Sequence, residues 1–161
     1  VGGAGGLEVA AQVSDTTNYT FVSGSSTDKF TGGGGNDTVI VDQSGLNMSQ
    51  HIDGGAGTNT LVIFKAASTA AIDLAHLYAK DFSVLDLAND TKSNMIELSS
   101  QGIQNLVGAG NSSVLTLRLN EVDTYTIAEE AGVTVTQGKN LTFYSDVNMT
   151  QKIAQVVFSY V

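Results

Sequence analysis

The chain contains no cysteine and no proline. The first absence excludes disulfides, thiolate zinc sites and cysteine nucleophiles together. The second is unusual against an average use of about 5 %, and it fits strands that pair along their length, because proline would remove ladder donors. Basic residues are scarce, with 7 Lys and Arg against 16 Asp and Glu, and no stretch concentrates the positive charge. Such a chain repels a phosphate backbone rather than gripping it, so nucleic acid is not an expected partner. No run of about 18 apolar residues occurs, and no transmembrane helix is expected. No leader peptide is visible either. The sequence starts at Val1 inside a glycine-rich run without an initiating methionine, as a segment excised from a longer polypeptide would.

Apolar residues make up 42 % of the 161 positions, enough for the core of one domain or two small stacked modules. Between Ser14 and Val62 the chain repeats itself in nonapeptides. The clearest copy is Gly32-Gly33-Gly34-Gly35-Asn36-Asp37-Thr38-Val39-Ile40, and a second starts at Gly54, with Asn59 in the aspartate place. Ser14 to Val22, Ser23 to Thr31 and Gly32 to Ile40 are contiguous blocks; Val41 to Ser44 interrupt; Gly45 to Asp53 and Gly54 to Val62 resume. The eighth place holds Phe21, Phe30, Val39, Ile52 and Leu61, which predicts a row of inward-facing side chains. The glycines allow a tight turn with exposed carbonyls, and Asp37 adds a carboxylate. An oxygen-only set of this kind suits Ca2+, a hard ion that takes about six to eight oxygens. The alternative reading of Gly32 to Gly35 is a metal-free linker. A linker would not be followed twice by threonine and two aliphatic residues, as in Thr38-Val39-Ile40 and Thr60-Leu61-Val62. Gly2 to Gly6 reads as a decayed further copy, with Leu7 in its aspartate place, or as the edge of the excised segment.

These nonapeptides resemble those of the RTX (repeats-in-toxin) family of secreted bacterial proteins, over roughly a third of the chain. The resemblance implies a parallel β-roll in which two nonapeptides make one coil and calcium ions lie between stacked turns. It further implies that the Asp37 turn stacks on the Asn59 turn, with the carbonyls of Gly32 and Gly34 facing those of Gly55 and Gly57 around one Ca2+. Asp28 occupies the sixth place of its block and implies a second site on the opposite side, facing the Gly45 to Gln50 turn, which has no acid there. The metal count therefore stays open between zero and two. A family site carries an aspartate from both turns, so Asn59 implies a weaker site, in the range of about 10⁻⁴ to 10⁻³ M.

Downstream, Leu61 to Phe64 form a longer apolar strand where the roll hands over to something else. Strands are predicted at Ile72 to Leu74, Phe82 to Leu87, Met95 to Leu98, Val114 to Leu119, Thr124 to Ile127, Val133 to Thr136, Leu141 to Tyr144 and Val156 to Val161. Leu74 to Lys80 is the best helix candidate and Ser99 to Leu106 a second. The expectation is an all-β chain: an RTX-like β-roll or β-solenoid over 1–62 continuing into a less regular β-module over 63–161. That module is a parallel solenoid or an antiparallel sandwich, and the upstream repeat favours the parallel form. Ser83-Val84-Leu85-Asp86-Leu87 and Leu115-Thr116-Leu117 resemble strands that follow RTX repeats in giant biofilm adhesins and surface-layer proteins.

No catalytic set is evident. His51 and His76 are the only histidines, Ser25 and Ser26 lack a nucleophile elbow, and no Lys-Ser or Lys-Thr follows the glycine run to make a phosphate loop. Asp73, Asp81 and Asp86 read as solvated acids rather than a glycosidase pair. Thr124-x-Thr126 and Thr134-x-Thr136 are ordinary strand threonines, too few for an ice- or sugar-binding array. The expected function is a non-enzymatic, calcium-binding structural module of a secreted or cell-surface bacterial protein, in adhesion, biofilm or surface-layer assembly. The alternative is a C-terminal export and folding module of a hydrolase or toxin secreted by a type I exporter. The expected partners are copies of itself, through an exchanged Val156 to Val161 strand, or surface-layer and matrix components; the adhesive ligand stays open.

Overall fold

A computed structural model describes residues 6–24, 27–42, 51–64, 71–89, 91–108 and 113–161. The nonapeptide pattern sets an apolar residue at the middle of each short strand, and the three-residue strands β2 (Thr20–Val22), β3 (Lys29–Thr31) and β5 (His51–Asp53) each bury only that middle residue. Strands this short do not persist alone and gain stability by stacking. The chain lays them alternately into two parallel sheets. The first contains β1 (Glu8–Ala10), β3, β5 and β8 (Ala79–Lys80), in that order. The second begins with β2, β4 (Thr38–Asp42), β6 (Thr60–Phe64), β9 (Val84–Asp86) and β11 (Val114–Leu119), all parallel.

Register follows the repeat. Phe21, Val39 and Leu61 lie opposite one another in the second sheet, and Phe30 lies opposite Ile52 in the first. All five eighth-place residues are buried, none more than 6 % exposed. The rings of Phe21 and Phe30 stack with centroids 5.2 Å apart, so the two sheets share one core. Adjacent turns are 18 residues apart at first, as in the bond from Tyr19 to Asp37, and 22 apart from Asp37 to Asn59. The increase has a local cause: Val41 and Asp42, from the interrupting segment, prolong β4, and Val41 is fully buried opposite Ile63. By Asp86 and Arg118 the separation is 32.

The expected boundary at residue 62 falls inside β6, and the second sheet runs through it from β6 to β9. Ser83 to Leu87 and Leu115 to Leu117 meet in that sheet, with Leu85 opposite Leu117 and both fully buried. A third parallel sheet joins β7 (Ile72–Asp73), β10 (Met95–Leu98) and β12 (Thr124–Ile127). Beyond β12 antiparallel pairing enters the second sheet. β15 (Lys152–Tyr160) pairs parallel with β11 on one side and antiparallel with β14 (Asn140–Tyr144) on the other, and β13 (Thr134–Gln137) closes the edge. The described chain is all-β in character, with parallel and mixed sheets. Of the Val156 to Val161 segment expected for strand exchange, Val156 to Tyr160 pair with β11 of their own chain, and of these Val156 and Val157 pair also with β14.

The Leu74 to Lys80 helix expectation needs correction, whereas Ser99 to Leu106 falls on a helix. Leu74 to Lys80 supplies only a single 3-10 turn, Leu74–His76, before β8. Among the described residues the α-helix is α1, Ser100–Val107, capped by Ser99, whose hydroxyl accepts the Gly102 N–H at 3.0 Å. The Glu130 carboxylate adds bonds from Ser100 N at 2.6 Å and Gln101 N at 3.3 Å. That acid arrives from 30 residues away, beyond the reach of a local pattern.

Candidate metal centre

Glycine at position 32 lets the second turn approach the third closely. A Cβ on Gly32 would collide with both the Asp37 Oδ2 atom and the Gly54 carbonyl oxygen, so these two oxygens crowd one small space beside the Gly32 Cα. The Gly32 N–H bonds to the Asp53 carbonyl at 2.8 Å and the Ala56 N–H to the Gly33 carbonyl at 2.9 Å, which docks the Gly54 to Asn59 turn directly on the Gly32 to Asp37 turn. Gly57, with φ of 93°, sits over the Gly35 carbonyl where any side chain would clash. Side chains of the sixth and fifth places cross-link the stack. Asp37 Oδ1 accepts the Tyr19 N–H at 2.7 Å and Asn59 Oδ1 accepts the Asp37 N–H at 2.8 Å. Asn18 and Asn36 do the same for Asn36 N at 2.7 Å and Thr58 N at 2.8 Å.

One atom in this network is unmatched. Asp37 is 1 % exposed, and its Oδ2 has no hydrogen-bond partner. A buried carboxylate oxygen facing a carbonyl oxygen is costly unless a positive group lies between them. The donor set is oxygen only, which fits a hard cation such as Ca2+. Among the described residues no three side chains of His, Cys, Asp or Glu converge, so any cation here would rest on one carboxylate and backbone carbonyls.

The remaining residues of the expected set fall in different places. Gly32 and Asp37 are together, and the Gly32 carbonyl lies beneath Gly55. The Gly55 carbonyl accepts Asn59 Nδ2 at 3.3 Å, within its own turn. Gly34 packs against the Val13 carbonyl of the first turn and Gly57 over Gly35, so they hold the stack on either side of the Asp37 pocket. Asp28, 1 % exposed, is occupied as a hydrogen-bond acceptor, taking Leu7 N at 2.8 Å, Gly24 N at 3.0 Å and Ser23 Oγ at 3.1 Å. Its expected partner turn, Gly45 to Gln50, lies outside the described residues, as do Ser25 and Ser26. The Gly54 carbonyl was not among the expected ligands, although Gly54 is the first-place counterpart of Gly32.

Both histidines line one cleft of about 390 Å³ beside β8, together with Tyr78, Lys80 and Asn105. His76 Nδ1 lies 2.6 Å from Asp73 Oδ2, and the lining holds no serine, threonine or cysteine nucleophile. Asp73, Asp81 and Asp86 each have a separate partner, namely His76, Lys80 at 3.3 Å and Arg118 at 3.4 Å, and do not form a carboxylate pair. No helix among the described residues is long and apolar enough to cross a membrane. Comparison of the chain with family models, curated proteins and solved structures gives no match.

Proposed function

We propose that this chain is a calcium-binding structural module, an RTX-like parallel β-roll that continues into a less regular β-solenoid, within a secreted or surface-attached bacterial protein. The observation that carries the reading is the buried, unpartnered Asp37 Oδ2, crowded against the Gly54 carbonyl in a glycine turn. Asp37 Oδ2 and the Gly54 carbonyl would hold a cation there, which would join the second and third turns. Its role is mechanical: it neutralises a buried charge and tightens the contact between stacked turns, while the apolar row from Phe21 to Leu61 supplies the core. With one carboxylate and neutral carbonyls the site is weak, in the range of about 10⁻⁴ to 10⁻³ M typical of extracellular modules. It fills outside a cell and empties in a calcium-poor cytoplasm. At ten times its Kd the ion adds about 1.4 kcal/mol.

Thermal melting followed by circular dichroism, in EDTA and in millimolar calcium, tests the reading. Calcium is expected to raise the midpoint, and magnesium, which dehydrates reluctantly and demands a rigid octahedron, to raise it less. Coincident melts in EDTA and calcium would remove the metal from the account.

A further inference from the structure

The second and third turns follow one plan and differ at one atom. In each, the first oxygen of the sixth-place side chain accepts a backbone N–H from the preceding turn. The second arm of the side chain then points into an equivalent space beside a first-place glycine. At Asp37 this arm is an oxygen without a donor. At Asn59 it is an NH2 group that donates to the carbonyls of Asp81 at 2.9 Å, Ala56 at 3.2 Å and Gly55 at 3.3 Å. The opposite orientation of the amide is excluded, because it would set Nδ2 against the Asp37 N–H and Oδ1 against three carbonyl oxygens. Crowding repeats as well: a Cβ on Gly54 would meet the Asp81 carbonyl and Asn59 Nδ2, as one on Gly32 would meet the Gly54 carbonyl and Asp37 Oδ2. Asp81 holds a φ of 62°, uncommon outside glycine, at the point where its carbonyl takes the shortest of the three bonds.

We infer that Asn59 is a built-in substitute for a metal ion: its carboxamide donates into the space between the third turn and Asp81 that a cation would otherwise fill. Resting on the calcium reading of Asp37, this assigns the chain one ion between these turns and makes the next step of the stack permanently closed. The amide presents two N–H donors to carbonyls that would otherwise converge unmet, so the third turn needs no ion to settle on the segment above it. Among the described turns, calcium dependence is thereby confined to the contact between the second and third.

Two reciprocal variants of the full chain test this, Asn59→Asp and Asp37→Asn, with calcium stoichiometry from titration calorimetry and melting in EDTA and in millimolar calcium. The wild type is expected to bind one ion. Asn59→Asp is expected to bind two, to melt below the wild type in EDTA and to recover in calcium. Asp37→Asn is expected to bind none and to melt above the wild type in EDTA. An Asn59→Asp chain that still binds one ion and melts unchanged in EDTA overturns the inference and leaves the Asp37 site standing. A wild type that binds none beside an Asn59→Asp chain that binds one overturns the Asp37 site and supports the role of Asn59. Absence of calcium binding by both overturns both. Should Asn59→Asp fail to fold, the EDTA melt of Asp37→Asn decides, and a midpoint no higher than the wild type's overturns the inference.

Discussion

Asp53 and Lys80 show how one side chain holds two sheet strands together at the rim of the glycine turns. Lys80 Nζ lies 2.6 Å from Asp53 Oδ2, and Asp53 Oδ1 accepts the Gly55 N–H at 2.9 Å, so the pair ties β8 to the start of the third turn. Burial by itself pushes the Asp53 carboxyl up, but the Lys80 ammonium and the Gly55 N–H outweigh it and hold it below its ordinary value. The bond to Asp53 in turn raises the Lys80 ammonium. The lowered carboxyl contributes stability that is present above about pH 4 and lost as pH falls through its folded value. The raised ammonium contributes below about pH 10 and is lost as pH rises through its own folded value. Lys80→Gln should therefore cost about 0.5 kcal/mol near neutrality, small because the lysine is half exposed, and progressively less towards either extreme. Urea unfolding of the two chains across pH measures the difference; a gap that widens in acid would contradict the pairing.

Elements in this chain are decided by contacts of very different range, and α1 is the clearest case. Its eight residues include Gly102 and begin on Ser99, and the distant Glu130 completes the capping of its first turn. A carboxylate at a helix start is favourable both as a hydrogen-bond acceptor and against the helix dipole. Glu130→Ala is expected to cost about 1 kcal/mol and to speed amide exchange at Ser100 and Gln101, while Glu129→Ala, beside it, leaves both unchanged. Exchange measured by NMR separates these outcomes. Legibility follows the same rule. Met95–Leu98, Val114–Leu119 and Thr124–Ile127 were readable to the residue, because alternation or continuous apolarity sets them locally. The helix ranking was not, since Leu74 to Lys80 has the better local periodicity but Tyr78 to Lys80 is drawn into pairing with β5. At the candidate site, Asp37 was legible from the nonapeptide. The opposite role of Asn59 was not, because which end of an amide meets which carbonyl is fixed by turns 22 residues away. Gly54 escaped for a related reason: a carbonyl ligand leaves no side-chain signature.

At the scale of the whole molecule, the second sheet is the spine. Its inward row runs through Phe21, Val39, Leu61, Leu85 and Leu117 in unbroken register, and the last four are fully buried. Leu85 bridges the repeats and the downstream strands, so Leu85→Ala should cost about 2–5 kcal/mol, as for other close-packed core leucines. Because stacked units communicate through their neighbours, that loss is expected to split the denaturant transition, with the glycine turns releasing first. A single shifted transition with an unchanged slope would show that the stack unfolds as one unit. The lengthening steps between turns also make the two ends of this spine unlike. Among the described residues β2 is an outermost strand at the short-repeat end, running parallel to its neighbour, whereas the other end folds back through β14 and β13. One extremity thus offers a further parallel strand a template in phase and the other presents an antiparallel edge, so a parallel lengthening of the array has a direction.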